Sequence, residues 1–306
     1  MSMRFRGYPR ASLPDPRLLR TRDRALLRIV NRSKAATSRH LSELLRAHPR
    51  KIQERVLLLW RSGYLERTTL PPAHRGGSPL AYRLSPAARL RLGYRDRRTA
   101  GTNELQHRLD TTAAVSALAR PYHTSPYPMQ AWLTESMARR LLSHGVEPDS
   151  VVVLQHPAGS GVLCLEVDEG TQHLPTIRHK LLSYRGALSQ RRGWQLLFVA
   201  PSAARVAWLR RQARPMAELR GWGHGGAVEL SELLRLGMAA PVHPLLGVDG
   251  PQSVASLLTD PPSRACPTPV GSPHWLHLLG TGGGEDLGHA LRAQPEAERV
   301  AGRERL

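Results

Sequence analysis

The sequence predicts a mixed α/β protein, α+β overall, with two folded domains and a C-terminal tail. The first third shows helical periodicity interrupted by Pro and Gly, the middle alternates strand-like with helix-like runs, and the last part is rich in Pro and Gly. A length of 306 residues also favours about two domains. The predicted parts are a basic flexible arm at 1–16, a first domain at 17–94, an α/β domain at 102–238 and a poorly ordered tail at 239–306.

The first domain has a recognisable order of elements. Apolar periodicity and helix-breaking residues predict three helices at 16–30, 33–45 and 50–61, with Ser33 as the cap of the second. Two strands at 64–69 and 80–84 flank a loop of Pro and Gly, and Ser85-Pro86 opens a further helix. Three helices followed by a hairpin are the order of a winged helix-turn-helix domain.

The positive charge of the chain is concentrated in this part. Residues 1–100 contain 24 Lys and Arg and 6 Asp and Glu, a net charge of +18. The rest of the chain holds the remaining 20 basic and 18 acidic residues out of 44 and 24, a net charge of +2. A genome-wide bias toward arginine would spread the charge along the whole chain. This uneven distribution of charge along the chain therefore predicts binding to a polyanion, with double-stranded DNA favoured over an acidic membrane or protein surface.

The third helix has the two faces that a recognition helix needs. Ile52, Val56 and Leu59 form one apolar stripe, because they are spaced at i, i+4 and i+7. Polar and charged side chains point away from that stripe or flank it, as expected of groups that reach phosphates and base edges. The predicted DNA-binding residues are Lys34, Arg39, Arg50, Lys51, Gln53, Glu54 and, on the loop tip, Arg75. The alternative is an amphipathic helix whose basic face is only solvated.

Other classes of protein receive no support from the sequence. The chain has no apolar run of about 18 residues, so no transmembrane helix is expected, and its first residues do not resemble a secretory signal. Cys164 and Cys266 have neither the spacing of a metal site nor the context of a disulfide. The expected location is the cytoplasm, in association with the nucleoid or a plasmid.

Acidic residues mark one end of the predicted sheet of the α/β domain. Glu166 and Asp168 end an apolar strand and share one face of it, and Asp149 begins the preceding strand. In a hairpin-like pair of strands, these carboxylates approach one another and offer the oxygen ligands that Mg²⁺ prefers. Lys180, on the following helix, is expected to reach the same edge. The alternative for each residue is ordinary: a turn cap, a solvated acid or a lysine that covers apolar surface.

The order of these residues resembles the PD-(D/E)xK nuclease superfamily, with Pro148-Asp149 before one strand and Glu166-Val167-Asp168 at the end of the next. The whole chain more closely resembles the replication-relaxation family of plasmids and mobile elements. That resemblance rests on Tyr82-Arg83-Leu84-Ser85 and on the segment Leu-Glu-Val-Asp-Glu-Gly-Thr that starts at Leu165, with Lys180 and Tyr184 after it.

The resemblance implies a winged helix joined to a nuclease-like α/β domain, and a role in plasmid replication or DNA relaxation. It puts metal-binding acids at Asp149 and Glu166. Together with the other charged residues expected at this edge of the sheet, the catalytic candidates are Asp149, Glu166, Asp168 and Lys180. The sequence departs from the pattern at Asp168, where the superfamily has a lysine, so Lys180 would have to take that role. Glu135 is a candidate additional acid.

Three functions remain open from the sequence. The first is a DNA-binding protein of a plasmid or mobile element, which could act as a homodimer. The second is a Mg²⁺-dependent endonuclease or nickase directed by the winged helix. The third is a transcriptional regulator whose C-terminal domain senses a ligand or dimerises. The distances among Asp149, Glu166, Asp168 and Lys180 discriminate between the first two.

Overall fold

The structure is a computed structural model that describes residues 5–8, 13–70, 79–94, 102–120, 129–139, 142, 145–156, 159–189, 191, 193–219, 222, 224–246 and 250–259. The chain divides into two compact units, Met1–Tyr122 and His123–Leu306, called the first and second unit below. The predicted mixed α/β class is confirmed, since both units contain helices and a sheet. Among the described residues, no helix is both long enough and apolar enough to cross a membrane.

The first unit consists of helices with a small antiparallel sheet. Its elements are β1 (Arg6–Gly7), α1 (Thr21–Ser33), β2 (Ala36–Thr37), α2 (Ser38–Leu45), α3 (Pro49–Arg61), β3 (Leu65–Thr69), β4 (Leu80–Leu84), α4 (Pro86–Arg91) and α5 (Thr102–Ala119). The strand order is β1-β3-β4-β2, and each pair of neighbouring strands is antiparallel. The sheet closes the end of the helical cluster because Leu65, Ala81 and Leu84 are buried in it.

Local capping explains where these helices begin and end. The Thr37 side chain accepts a hydrogen bond from the backbone N–H of His40 at 3.2 Å, which caps α2. Pro49 occupies the first turn of α3, where a missing N–H costs nothing. Gly63 follows α3 with φ of +79°, a conformation that favours glycine after a helix.

Two expectations for the first unit need correction. The second helix begins at Ser38 and not at Ser33, because α1 continues through Ser33 and Lys34 then leaves it in a left-handed conformation. The intervening Ala36 and Thr37 pair with β4. Part of the arm expected to be flexible is ordered, since Arg6–Gly7 form β1 on the edge of the sheet.

Helix α5 lies in the first unit, whereas the predicted domain bounds put residues from 102 onward in the α/β domain. The hydroxyl of Thr112 donates to the carbonyl of Ala35 at 3.3 Å, and that of Ser116 donates to the carboxylate of Glu43 at 2.7 Å. Leu105 and Leu109 also pack against Ala35 and Ala81. These contacts cover a side of the first unit that would otherwise be exposed, so this unit extends to Tyr122.

The second unit is an α/β structure around a mixed sheet. Its elements are β5 (Met129–Thr134), α6 (Glu135–Ala138), β6 (Ser150–His156), β7 (Gly159–Val167), α7 (Leu174–Leu188), β8 (Trp194–Ala200), α8 (Ala203–Ala213), β9 (Gly225–Glu229), α9 (Leu230–Leu236), β10 (Pro241–Pro244), β11 (Gln252–Ser253) and α10 (Val254–Thr259). The described strands follow the order β11-β10-β9-β8-β7-β6-β5. The pairs β7–β8 and β8–β9 are parallel and the others antiparallel.

The core of this unit lies between the sheet and the two crossover helices. Alternate residues of the strands, among them Cys164, Leu196 and Phe198, face Leu181 of α7 and Leu209 of α8. Because β7 and β8 are parallel, α7 must return across the sheet, and its N-terminal half comes to lie beside the carboxyl end of β7.

The run from Trp132, predicted to be helical or partly extended, contains both: its first part is strand β5, paired with β6, and the short α6 follows. One expectation for the second unit needs correction. The tail was predicted to begin at 239, yet β10, β11 and α10 continue the sheet and its cover to Thr259. Val242, Val254 and Leu257 are buried, which explains why this segment folds despite its prolines. The sequence also predicts an amphipathic helix near 287–300, and these residues lie outside the described part of the chain.

Candidate functional site

The outward face of α3 carries the polar residues that were expected to meet DNA. Arg50, Lys51, Gln53 and Glu54 are exposed, whereas Ile52 and the other two residues of its stripe are buried. Arg50 and Glu54 form an ion pair at 3.3 Å, with 82% and 61% of their side chains exposed. A pair so exposed is weak, so the guanidinium is available to a stronger anionic partner.

A buried ion pair holds α3 against α1. The Nε of Arg55 donates to Asp23 at 2.8 Å, and its second guanidinium nitrogen contacts the other carboxylate oxygen. Asp23 also accepts a hydrogen bond from the backbone N–H of Arg20 at 3.1 Å. The two-pronged contact fixes the rotation of α3 about its axis, and therefore the direction of its polar face.

The remaining predicted DNA-binding residues lie in different settings. Arg39 is exposed on α2 and pairs with Glu43 at 3.1 Å. Lys34 lies at the end of α1 and not on α2, with its backbone at φ of +62°. Arg75 lies outside the described residues.

A second group of polar residues meets at the carboxyl end of β7. The Nζ of Lys180 donates to Glu166 Oε2 at 2.5 Å, and the hydroxyl of Tyr184 donates to Glu166 Oε1 at 2.6 Å. Asp149 lies just before the neighbouring strand, where its Oδ2 accepts from the backbone N–H of Val167 at 2.8 Å. The sheet register explains this meeting, because Ser150 is opposite Leu165. Lys180 and Tyr184 are one helical turn apart on α7, so they reach the same carboxylate.

Burial and charge strongly perturb this cluster. Glu166 is 2% exposed, and burial raises its pKa to about 7, with a further increase from nearby Asp149 and opposing effects from Lys180 and Tyr184. Burial lowers the pKa of Lys180, but its attraction to the carboxylates outweighs that effect and the net pKa is raised. Burial also raises the pKa of Tyr184 well above its usual value, so its hydroxyl keeps the proton that it donates.

Asp168 belongs to a separate interaction at the same end of the sheet. Arg205 Nε donates to Asp168 Oδ2 at 2.5 Å, and the backbone N–H of Gly170 donates to Oδ1 at 3.1 Å. Arg205 also donates to the carbonyl of Gln172 at 2.7 Å and stacks on Trp208 at 3.9 Å. The carboxylate thus ties the loop after β7 to the first turn of α8.

The donors present do not fit Mg²⁺ in this arrangement. Both oxygens of Glu166 accept hydrogen bonds from side chains, and both oxygens of Asp168 are bonded to Arg205. Mg²⁺ requires about six oxygen ligands in octahedral geometry. Across the part of the chain that the structure describes, no three His, Cys, Asp or Glu side chains are grouped to hold a metal. Glu135, at the start of α6, pairs with Arg139, which directly follows that helix.

Arg205 is a partner that sequence reasoning missed. Its contact with Asp168 spans 37 residues, so no local pattern predicts it. One signal was present: Arg205 is in the first turn of α8, where the helix dipole disfavours a positive charge. A cation in that position indicates a nearby anion.

Comparison with known proteins identifies one similarity. Residues 27–196, more than half of the chain, match the family model described as replication-relaxation. The match runs from α1 to the start of β8, so it contains α3 as well as Asp149, Glu166 and Lys180. Comparisons with curated proteins and with solved structures gave no match.

Proposed function

The chain belongs to the replication-relaxation family, and from that premise we propose that it binds double-stranded DNA through its first unit. Family membership supports a role in the replication or relaxation of a plasmid or mobile element. The proposal adds the means: the first unit acts as a winged helix, with α3 in the major groove and the hairpin of β3 and β4 beside it. Its place of action would be on the plasmid or nucleoid.

The observation that carries this proposal is the outward face of α3. Arg50, Lys51, Gln53 and Glu54 are all exposed on one helix of a unit that holds nearly all of the net charge. The helix is also rigidly held through Arg55 and Asp23. To recognise base edges, a helix must be held in a fixed orientation and must expose long side chains that can form hydrogen bonds.

The test is duplex binding measured by fluorescence anisotropy over a range of salt concentrations. The logarithm of affinity should fall linearly with the logarithm of salt, by about 0.9 for each phosphate neutralised. The Arg50→Ala/Lys51→Ala double variant should bind more weakly, with a slope reduced by roughly 1.8 if each residue contacts one phosphate.

A matched control removes two exposed arginines from the second unit. Arg211→Ala/Arg214→Ala changes the net charge of the protein by the same amount, because both side chains are exposed on or just after α8. This variant should bind DNA nearly as the wild type does. An unchanged slope in the α3 variant, with a native circular dichroism spectrum, would contradict the role of α3. Absence of duplex binding by the wild type would refute the proposal as a whole.

A second candidate function is metal-dependent cleavage of DNA by the second unit. The observation in its favour is the meeting of Asp149, Glu166 and Lys180 at one end of β7. Both Glu166 oxygens already accept a hydrogen bond from a side chain, and this engagement weighs against it. We rank it second for that reason.

Cleavage assays with Mg²⁺ and Mn²⁺ decide between the two. Supercoiled and linear duplex should remain intact with the wild type, and calorimetry should detect no metal binding. Cleavage that is lost in both Asp149→Ala and Lys180→Ala would instead establish the enzyme. The wild-type result does not depend on either variant being well folded.

A further inference from the structure

We infer that Arg6 and Arg67, which lie opposite each other on β1 and β3 with Arg67 stacked on the indole of Trp60, form a contact site for a backbone phosphate of duplex DNA. This inference rests on the proposed function and extends it to a surface outside the α3 residues named above. Neither arginine was singled out by the sequence.

Contacts among strands β1 and β3 and helix α3 hold Arg6, Arg67 and Trp60 together. In the antiparallel pair of β1 and β3, Arg6 is directly opposite Arg67. The indole N–H of Trp60 donates to the carbonyl of Arg6 at 3.3 Å, and the Arg67 guanidinium lies 3.6 Å from the centroid of the Trp60 rings. Tyr8 packs edge-on against Trp60, with ring centroids 5.0 Å apart. Arg6, Tyr8, Trp60 and Arg67 are called the platform below. Contacts within the protein hold the platform together, so it does not need a ligand to form.

Within the described part of the chain, no acidic side chain balances the charges on this platform. Like charges opposite each other on neighbouring strands repel. The nearest acid in the sequence, Glu66, pairs with Arg83 at 2.8 Å on the opposite face of the hairpin, where Arg83 also stacks on Phe5. Among the described residues, neither Arg6 nor Arg67 has a carboxylate partner. A bound anion would remove the repulsion.

The position of the platform identifies which anion. Trp60 is seven residues after Gln53 on α3, so the two side chains lie on nearly the same side of the helix. The arginine pair therefore continues the side of α3 that carries a predicted base-reading residue. A planar guanidinium group can donate two parallel hydrogen bonds to two oxygens of a phosphate. Stacking on an aromatic ring holds the guanidinium in a fixed orientation for this contact. A phosphate of the strand that flanks the groove meets these conditions.

The test uses the full-length protein and the same salt-dependent anisotropy assay. Arg6→Gln/Arg67→Gln should bind duplex on the order of tenfold more weakly, with a slope reduced by about 0.9 because one phosphate contact is lost. Arg67→Lys should keep the slope, because the charge remains, while affinity falls because the stacked guanidinium is lost. Arg6→Gln alone should reduce affinity without disturbing the fold, because the hydrogen bond from Trp60 is to the backbone carbonyl of Arg6, which the substitution keeps.

The outcomes separate this inference from the function on which it rests. If the wild type binds duplex and Arg50→Ala/Lys51→Ala weakens it, while both glutamine variants behave like Arg211→Ala/Arg214→Ala, the phosphate site is overturned and the proposed function stands. If the wild type binds no duplex, both are overturned. A reduced slope in the double glutamine variant, with the wild-type slope retained in Arg67→Lys, supports the site.

Discussion

Glu166 shows how a carboxylate can be kept at the edge of an apolar sheet. Its side chain is 2% exposed, so its charge depends on Lys180 and Tyr184, which donate to its two oxygens. Removing one partner of such a pair leaves an uncompensated buried charge. The pair therefore matters for stability whether or not the site has a chemical role.

We expect Lys180→Met to lower the free energy of unfolding by about 3–5 kcal/mol above neutral pH. The loss should be smaller in mild acid, because Glu166, whose pKa is already raised to about 7, then accepts a proton and loses its charge. Urea unfolding at two pH values measures both effects. Arg178→Met on the same helix is the control, because its pair with Glu218 is exposed and contributes roughly 0–1 kcal/mol. Equal losses in the two variants would contradict this account.

His40 provides a second prediction at this scale. Burial lowers its pKa to about 4, and its Nδ1 accepts a hydrogen bond from the backbone N–H of Thr37 at 3.4 Å, a role that only the neutral ring can fill. The unfolded chain binds a proton near the ordinary pKa of 6.5, so His40 contributes stability above that pH that is lost as pH falls toward 4.

The variant that tests this is His40→Gln. Glutamine at this position can make the same capping box with Thr37 but does not titrate. The free energy of unfolding of the variant should therefore decrease less than that of the wild type as the pH falls from 6.5 to 4. Parallel pH profiles for the two proteins would exclude His40 as the source of acid sensitivity.

At the scale of elements, the sequence predicted helices with strong caps better than it predicted short strands. Helix α3 was placed within one residue of its start and at its end, because Pro49 and Gly63 act locally. By contrast, β2 and β10 are defined by pairing with strands elsewhere in the chain, namely β4 and β9. No period-2 pattern appears in strands of two to four residues.

The close approach of β9 and β10 leads to a prediction. A Cβ on Gly226 would overlap Cγ1 of Val242, which is buried in the neighbouring strand. We expect Gly226→Ala to destabilise the protein by about 1–3 kcal/mol through overpacking. Thermal unfolding followed by circular dichroism measures the loss. Gly250→Ala serves as the control, since nothing lies within 4 Å of the position that its methyl group would take, and no change is expected.

At the scale of the whole molecule, charge and fold divide the chain at slightly different places. The basic residues that carry the net charge lie almost entirely within residues 1–100, but the first unit needs α5 to cover Ala35 and Ala81. Both boundaries can be tested with fragments.

We expect a fragment of residues 1–122 to fold and to retain most of the non-specific affinity for duplex. A fragment of residues 1–100 should be less stable, because it lacks Leu105 and Leu109 and the hydrogen bonds from Thr112 and Ser116. Residues 123–306 should bind weakly, with a net charge near zero. Circular dichroism and anisotropy on the three fragments measure these outcomes. Duplex binding by residues 123–306 as tight as that of residues 1–122 would contradict the assignment.

The sequence alone determined the mixed α/β class, the helices of the first unit and the concentration of charge, since these depend on periodicity, caps and composition. The sequence also predicted that Asp149, Glu166 and Lys180 meet at one edge of the sheet, because strand order and helical periodicity depend on residues that are close in the chain. Tertiary structure decided the partners of each charge. Arg205 for Asp168, Tyr184 for Glu166 and Trp60 for Arg67 are contacts between elements, and side-chain pairing across elements depends on register and packing that no local pattern encodes.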